Sequence, residues 1–213
     1  MDSRIRVLER QSTRDLRDAF YRDVFEGLSA SPKHIPSRWF YDDEGSRIFS
    51  KIMDLPEYYP TDCERDILET HRDAIADQLG EAPFRLVELG AGDGRKTRIL
   101  LDHFQQREMD FSYSPIDISE GAMIDLVDAV VRRYPDIPTT GLVCEYNHGL
   151  QFLKEDQKRN FVLFLGSSIG NFTLTQAGMF CRNLREMLNP GDLLFIGFDL
   201  RKDMDVLIDA YSD

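Results

Sequence analysis

This chain has few of the residues that cross-link, ligate metals or cross membranes. Its three cysteines, Cys63, Cys144 and Cys181, stand far apart, and no CxxC pair occurs. That pattern argues against a disulfide framework or a zinc site and reads as reduced thiols of a cytosolic protein. The histidines His34, His71, His103 and His148 share no ligand spacing, so they read as surface residues and no metal is expected. No apolar run approaches the length of a membrane span. The opening MDSRIRVLERQSTRDLRDAF carries charge but lacks the apolar core of a signal peptide. Neither a GxSxG elbow nor a Walker loop is present, which leaves hydrolase and NTPase readings without support. Basic residues are also in deficit, with 26 Lys and Arg against 38 Asp and Glu, a formal charge of −12. Such a chain repels phosphate backbones and anionic membrane surfaces, so neither nucleic acid nor membrane is an expected partner. The expectation is a cytoplasmic protein, by default a monomer, that acts on a small molecule.

What is present fits a soluble globular protein. Over 213 residues, 42% are apolar and 30% charged, enough for one domain with a core of its own. Residues 14–29 place Leu16, Phe20, Val24 and Leu28 on one helical stripe. A short helix over 44–54 is stopped by Pro56, and EYYPT is a loop. Thr61, with Glu64 three residues on, reads as the cap of a helix running to about Leu79. From FRLVELG onward the pattern alternates, with strands expected at FRLVELG, FSYSPIDI, GLVCEY, FVLFLG and DLLFIG. Helices are expected from Arg95 to about Phe104, from Glu120 to about Arg133 and from about Thr175 to Leu188. Strand–helix alternation with apolar strands predicts an α/β fold, a parallel Rossmann-like sheet buried on both faces. Residues 1–80 are expected to form an N-terminal helical cap and residues 81–213 the cofactor-binding domain. Doubly wound sheets of this type usually carry two more strands after the fifth, so the natural protein is expected to be longer, or this chain an excised domain.

Five constellations carry the chemistry. The run Glu88-Leu89-Gly90-Ala91-Gly92-Asp93-Gly94 follows a strand and opens a helix, where a cofactor loop belongs. Its glycines allow positive φ and a close ligand approach. The spacing is GxGxG, with Arg95 where a dinucleotide fingerprint would place a further glycine. The acidic Glu88 suits a cationic cofactor end, an ammonium or sulfonium, better than a pyrophosphate. Together these favour S-adenosylmethionine over a nicotinamide dinucleotide. Asp117, at the end of the second strand and 27 residues after Gly90, can accept hydrogen bonds from ribose hydroxyls; otherwise it is a strand-end turn residue. Glu145 and Tyr146 stand where an adenine amino group and ring are met, or else face solvent. Gly166 opens the small-residue run GSSIGN, which keeps a crevice floor open, and Asn171 can donate and accept toward a polar substrate. Trp39-Phe40-Tyr41 and Tyr58-Tyr59 read either as a lid over the site or as a satellite aromatic cluster.

The segments SRWFYDDEGSRIF, LPEYYPT, LVELGAGDGRKT, PIDIS, LGSSIGNF and NPGDLLFIGFDL resemble the histidine-specific Nα-methyltransferase family of ergothioneine biosynthesis. The likeness runs from about Leu28 to the last residue. It implies that Tyr41, Gly90, Lys96, Asp117, Glu145 and Tyr146 line S-adenosylmethionine. It further implies that Tyr58 and Asn171, helped by Tyr211, hold the amine and carboxylate of an amino acid, and that family members continue into a domain that reads the imidazole. Cys144-Glu145 stands where the family often has Gly-Asp, which lengthens the acid by one methylene. The implied chemistry is in-line methyl transfer to the α-amine of histidine, and these residues contain no evident general base. The alternative is an S-adenosylmethionine-binding or regulatory module without catalysis.

Overall fold

The computed structural model describes residues 4–8, 13–155 and 158–212. Six strands form one sheet: β1 (Ile5–Val7), β2 (Phe84–Leu89), β3 (Phe111–Asp117), β4 (Gly141–Val143), β5 (Asn160–Phe164) and β6 (Leu193–Ile196). Every pairing is parallel, in the order β1-β4-β3-β2-β5-β6. The helices are α1 (Thr13–Ser29), α2 (Asp43–Ile52), α3 (Pro60–Leu79), α4 (Thr97–Gln106), α5 (Glu120–Arg133), α6 (Tyr146–Lys154), α7 (Leu174–Met187) and α8 (Met204–Tyr211).

Every residue of β2 and β5 is buried, so their side chains alternate between two apolar layers. Phe84, Leu86, Phe161 and Leu163 join Leu68, Leu100, Phe104 and Leu126, which come from α3, α4 and α5. Val87, Leu89, Val162 and Phe164 join Leu150, Leu153, Phe180 and Leu184 from α6 and α7 on the opposite face. Helix α5 shows why such a segment becomes helical. The Ser119 hydroxyl accepts from Ala122 N–H at 3.1 Å, Glu120 lies in the first turn, and Arg132 and Arg133 lie in the last. Cap and charges together complement the helix dipole.

This topology positions the site. From β2 the chain steps to β3 on one side, while β5 lies on the other. A crevice therefore opens beyond the C-terminal ends of β2 and β5, where the order reverses. The loops following all the parallel strands converge on that edge.

Several sequence expectations need correction. The first strand is not FRLVELG: Ile5–Val7 precedes it and pairs with Gly141–Val143 at the sheet margin. Thr61 does not cap α3. Tyr59 is the N-cap, and Pro60 occupies the first turn, where its missing N–H costs nothing. Leu16, Phe20 and Leu28 do form a helical stripe, but all three are exposed. Helices α6 and α8 were not anticipated. His103 is buried rather than at the surface, with Nε2 3.2 Å from the Asp73 carboxylate.

Candidate active site

The loop after β2 is built on three left-handed glycines, at φ 71° for Gly90, 52° for Gly92 and 65° for Gly94. Two of them also have no room for a side chain. A Cβ on Gly90 would lie 2.8 Å from the Tyr146 hydroxyl, and one on Gly94 would lie 2.5 Å from Leu126 Cδ1. Arg95 pins the outer side of the loop, its guanidinium 2.8 Å from Asp93 and 2.5 Å from Asp54 of the α2–α3 segment.

Asp117 ends β3 beside this loop. Its Oδ2 accepts from Gly92 N–H at 3.2 Å and its Oδ1 from Ser119 N–H at 3.0 Å. Burial raises its pKa above the usual carboxylate range, against the pull of those N–H bonds. A carboxylate offers about four acceptor sites, so each oxygen keeps capacity for a ligand hydroxyl. Tyr146 opens α6 and packs edge-on against Phe164 and Phe180, with centroids 5.6 and 6.2 Å away. Burial raises its pKa, and the charge of Asp117 and then Tyr41 adds to the rise. Glu145, the N-cap of the same helix, makes no capping bond and is exposed.

Glu88 is placed differently from its sequence reading as a partner of a cationic cofactor end. The side chain is buried, with one oxygen accepting from the Thr97 hydroxyl and the other from the Tyr113 hydroxyl. Burial pushes its pKa up to about 7, with the two hydroxyl bonds pulling the other way. It braces β2 against β3 and α4 beneath the glycine loop.

The other end of the crevice is aromatic. Tyr41, Phe49, Tyr58 and Tyr211 form a chain of edge-to-face contacts with centroids 5.8, 5.9 and 5.8 Å apart. Tyr58 is buried, and burial, followed by the neighbouring Tyr41 and Glu64, pushes its hydroxyl up to about 12. Burial raises the pKa of Tyr41 while the nearby Asn171 side chain pulls it back, so a residue read for cofactor lies close to one read for substrate. The Tyr211 hydroxyl donates to Asp199 Oδ2 at 3.1 Å. Asp199 also accepts from Tyr59 and Lys202. Trp39 is not part of this group: it packs on Phe20 of α1 at 5.1 Å and donates to Asp23 at 2.8 Å.

Between the two ends lie Lys96 and Gly166. Lys96 Nζ is 2.6 Å from Glu64 Oε2. Gly166 N–H is 2.8 Å from both Glu64 oxygens. Sequence reasoning missed Glu64, taking it for part of a helix cap, and it missed Asp199. Neither shows as a site locally, because the partners of Glu64, and Tyr59 among those of Asp199, lie on distant segments.

An open parallel sheet with a glycine loop after a central strand and an acid ending the next is the frame of a ribose-bearing cofactor site, and the family match below makes the class that of the S-adenosylmethionine-dependent methyltransferases. A solved structure of a putative methyltransferase of this kind from Methanococcus maripaludis superposes with a TM-score of 0.51, at 16% identity, over 74% of this chain and 64% of its own; that likeness speaks to the fold alone. The family described as "Histidine-specific methyltransferase, SAM-dependent" matches residues 20–213. The chain belongs to that family. It is 40% identical over 196 residues to a histidine N-alpha-methyltransferase of Mycolicibacterium smegmatis, covering 92% of this chain and 60% of the relative. It is 35% identical over 187 residues to ergothioneine biosynthesis protein 1 of Schizosaccharomyces pombe, covering 84% and 24%. The chain thus spans 60% of the length of the bacterial relative.

Proposed function

We propose that this protein transfers a methyl group from S-adenosylmethionine to the α-amine of L-histidine, as the names of its relatives describe for them. The observation that supports this most is the glycine loop held against Asp117, whose carboxylate accepts from Gly92 N–H at 3.2 Å, in a chain that matches the histidine-specific family over residues 20–213. In this reading Asp117 takes the ribose hydroxyls, Tyr146 and Glu145 the adenine, Gly90 and Gly92 the close backbone approach, and Tyr41, Lys96 and Gly166 the amino-acid end. Glu88 stiffens the loop from below rather than touching the ligand. The donor set fits the group: a carboxylate for hydroxyls, an ammonium for a carboxylate and glycines where a Cβ would intrude.

S-adenosylmethionine, when bound, supplies an electrophilic methyl carbon, so the chain's own residues need only bind, orient and exclude water. Tyr58, Asn171 and Tyr211 hold the α-amine and α-carboxylate of the substrate. Tyr58, pushed up to about 12, stays protonated at neutral pH and orients the amine without serving as base; the amine proton leaves to solvent. Helices α1 to α3 act as a cap on the cofactor-binding unit, to whose sheet β1 also belongs. No helix among the described residues is long and apolar enough to cross a membrane. Cys63, Cys144 and Cys181 are free, which fits reduced thiols.

Calorimetry and a methyl-transfer assay on the full-length protein test the proposal. The expected result is binding of S-adenosylhomocysteine and turnover of histidine, with no response to NAD. Turnover of another amino acid would overturn the substrate, and cofactor binding without any turnover would leave a binding module.

A further inference from the structure

Glu64 reaches from α3 to two loops of the sheet, and its carboxylate is largely enclosed there. Both oxygens accept from Gly166 N–H at 2.8 Å. Oε2 also takes the Lys96 ammonium at 2.6 Å, and the two side chains are only 14% and 15% exposed. Gly197 completes the enclosure, because a Cβ there would stand 2.0 Å from Glu64 Oε1. The ammonium in turn lies over Gly166, 3.5 Å from where a Cβ on that residue would be. Gly166 and Ser167 are consecutive left-handed residues, at φ 74° and 51°, so Glu64 grips the strand end where it turns.

A nearly buried ion pair is a weak source of stability, because desolvating both charges offsets most of their attraction. What it does is fix a position. Without Glu64, the Lys96 ammonium on its flexible stem would have no fixed place at the crevice floor. With Glu64, the ammonium and the Gly166 turn are held in one register.

We propose that Glu64 is a positioning residue for the amino-acid end of the cofactor, holding Lys96 and Gly166 where that end is received and leaving the adenosine end to Asp117 and Tyr146. The proposal rests on the reading above that Lys96 and Gly166 face the amino-acid end.

Two ligands separate this role from a merely structural one. S-adenosylhomocysteine carries the amino-acid end, whereas 5′-methylthioadenosine keeps the adenosine and the thioether but lacks that end. Both are titrated into the full-length protein by calorimetry. The wild type should bind S-adenosylhomocysteine more tightly. Glu64→Gln loses the charge that holds Lys96 whichever way the amide turns, and the Kd for S-adenosylhomocysteine should rise about tenfold or more, the cost of losing a charged hydrogen bond. The Kd for 5′-methylthioadenosine should stay within about twofold, because Asp117 and Tyr146 keep their bonds. Glu64→Asp keeps the charge but shortens the reach, and should show a smaller change in the same direction. Equal losses on both ligands, no loss, or tighter S-adenosylhomocysteine binding in Glu64→Gln would each overturn the proposal. So would failure of both variants to fold, which would make Glu64 a residue of the fold. If the wild type binds the two ligands alike, the reading of Lys96 and Gly166 fails first and takes this inference with it.

Discussion

The two ends of the crevice are built in different ways. At the end proposed for the adenosine the bonds run within one β–α–β unit: Asp117 meets Gly92 across 25 residues, and Glu88 meets Thr97 across 9 and Tyr113 across 25. From the middle of the crevice to the end proposed for the amino acid, Glu64 meets Gly166 across 102 residues, Tyr59 meets Asp199 across 140, and Lys202 meets Tyr59 across 143. The first end comes with the supersecondary unit that carries it. The second exists only when the segment around α3, the turn after β5 and the chain after β6 have all docked, so it bears more loop-closure entropy and belongs to the less stable part of the molecule.

The largest effect should separate substrate from cofactor. Asn171→Ala in the full-length protein should lower kcat/KM for histidine by about 10³-fold, roughly 4 kcal/mol, because a site built for paired polar groups is left with one unpaired. The Kd for S-adenosylhomocysteine should move by no more than about threefold, under 1 kcal/mol. Parallel losses in both would dissolve the distinction between the two ends.

The next prediction probes the brace under the glycine loop. Burial pushes Glu88 from the ordinary 4.5 up to about 7. Its proton is therefore held more tightly in the folded state. The associated stability is full below about pH 4.5 and is lost as pH rises through about 7, where the fold must bury a charge. Glu88→Gln carries no such charge. Urea unfolding should show the variant gaining on the wild type between pH 4.5 and pH 8, by on the order of 3 kcal/mol. A stability difference that stays flat across this range would mean that Glu88 does not titrate in it.

Asp117→Ala should weaken S-adenosylhomocysteine binding by about 1.5–3 kcal/mol, the range for hydrogen bonds to a charged group, while thermal unfolding of the free protein changes little. Unchanged affinity would remove Asp117 from the ribose. The smallest effect is expected from Tyr211→Phe, which deletes one half-exposed bond to Asp199. It should raise KM for histidine severalfold, by about 1 kcal/mol, and leave cofactor affinity alone. An equal loss of cofactor affinity would place Tyr211 at the wrong end.

The difference between the ends also explains what could be read from the amino acids. The strands β2, β3, β5 and β6 announce themselves as apolar runs, and the glycine loop and Asp117 follow in order along the chain, so this end was legible. β1 was not, because it is three residues in a charged stretch whose partner is β4, far along the chain. α6 hides behind the residues read as adenine contacts, and its Gly149 weakens the pattern although it packs against Ile116. α8 did carry a local signal that went unread, since the Asp203 carboxylate accepts from Asp205 N–H at 3.1 Å. Glu64 was misread for a physical reason. Glutamate three residues after threonine has the spacing of a capping box, but the helix starts at Pro60, two residues earlier than a Thr61 cap would place it, and the carboxylate is free for Lys96 and Gly166.

The margin of the sheet has a practical consequence. β6 ends the strand order, and among the described residues nothing pairs with its outer edge. The segment carries exposed Leu194, and exposed Phe198 and Leu200 follow it. An unpaired edge flanked by apolar side chains is a template on which another chain can lay a strand. Protein produced as these 213 residues should therefore associate as its concentration rises, and light scattering across a dilution series would follow that behaviour. A binding constant measured on it is best taken at the dilute end.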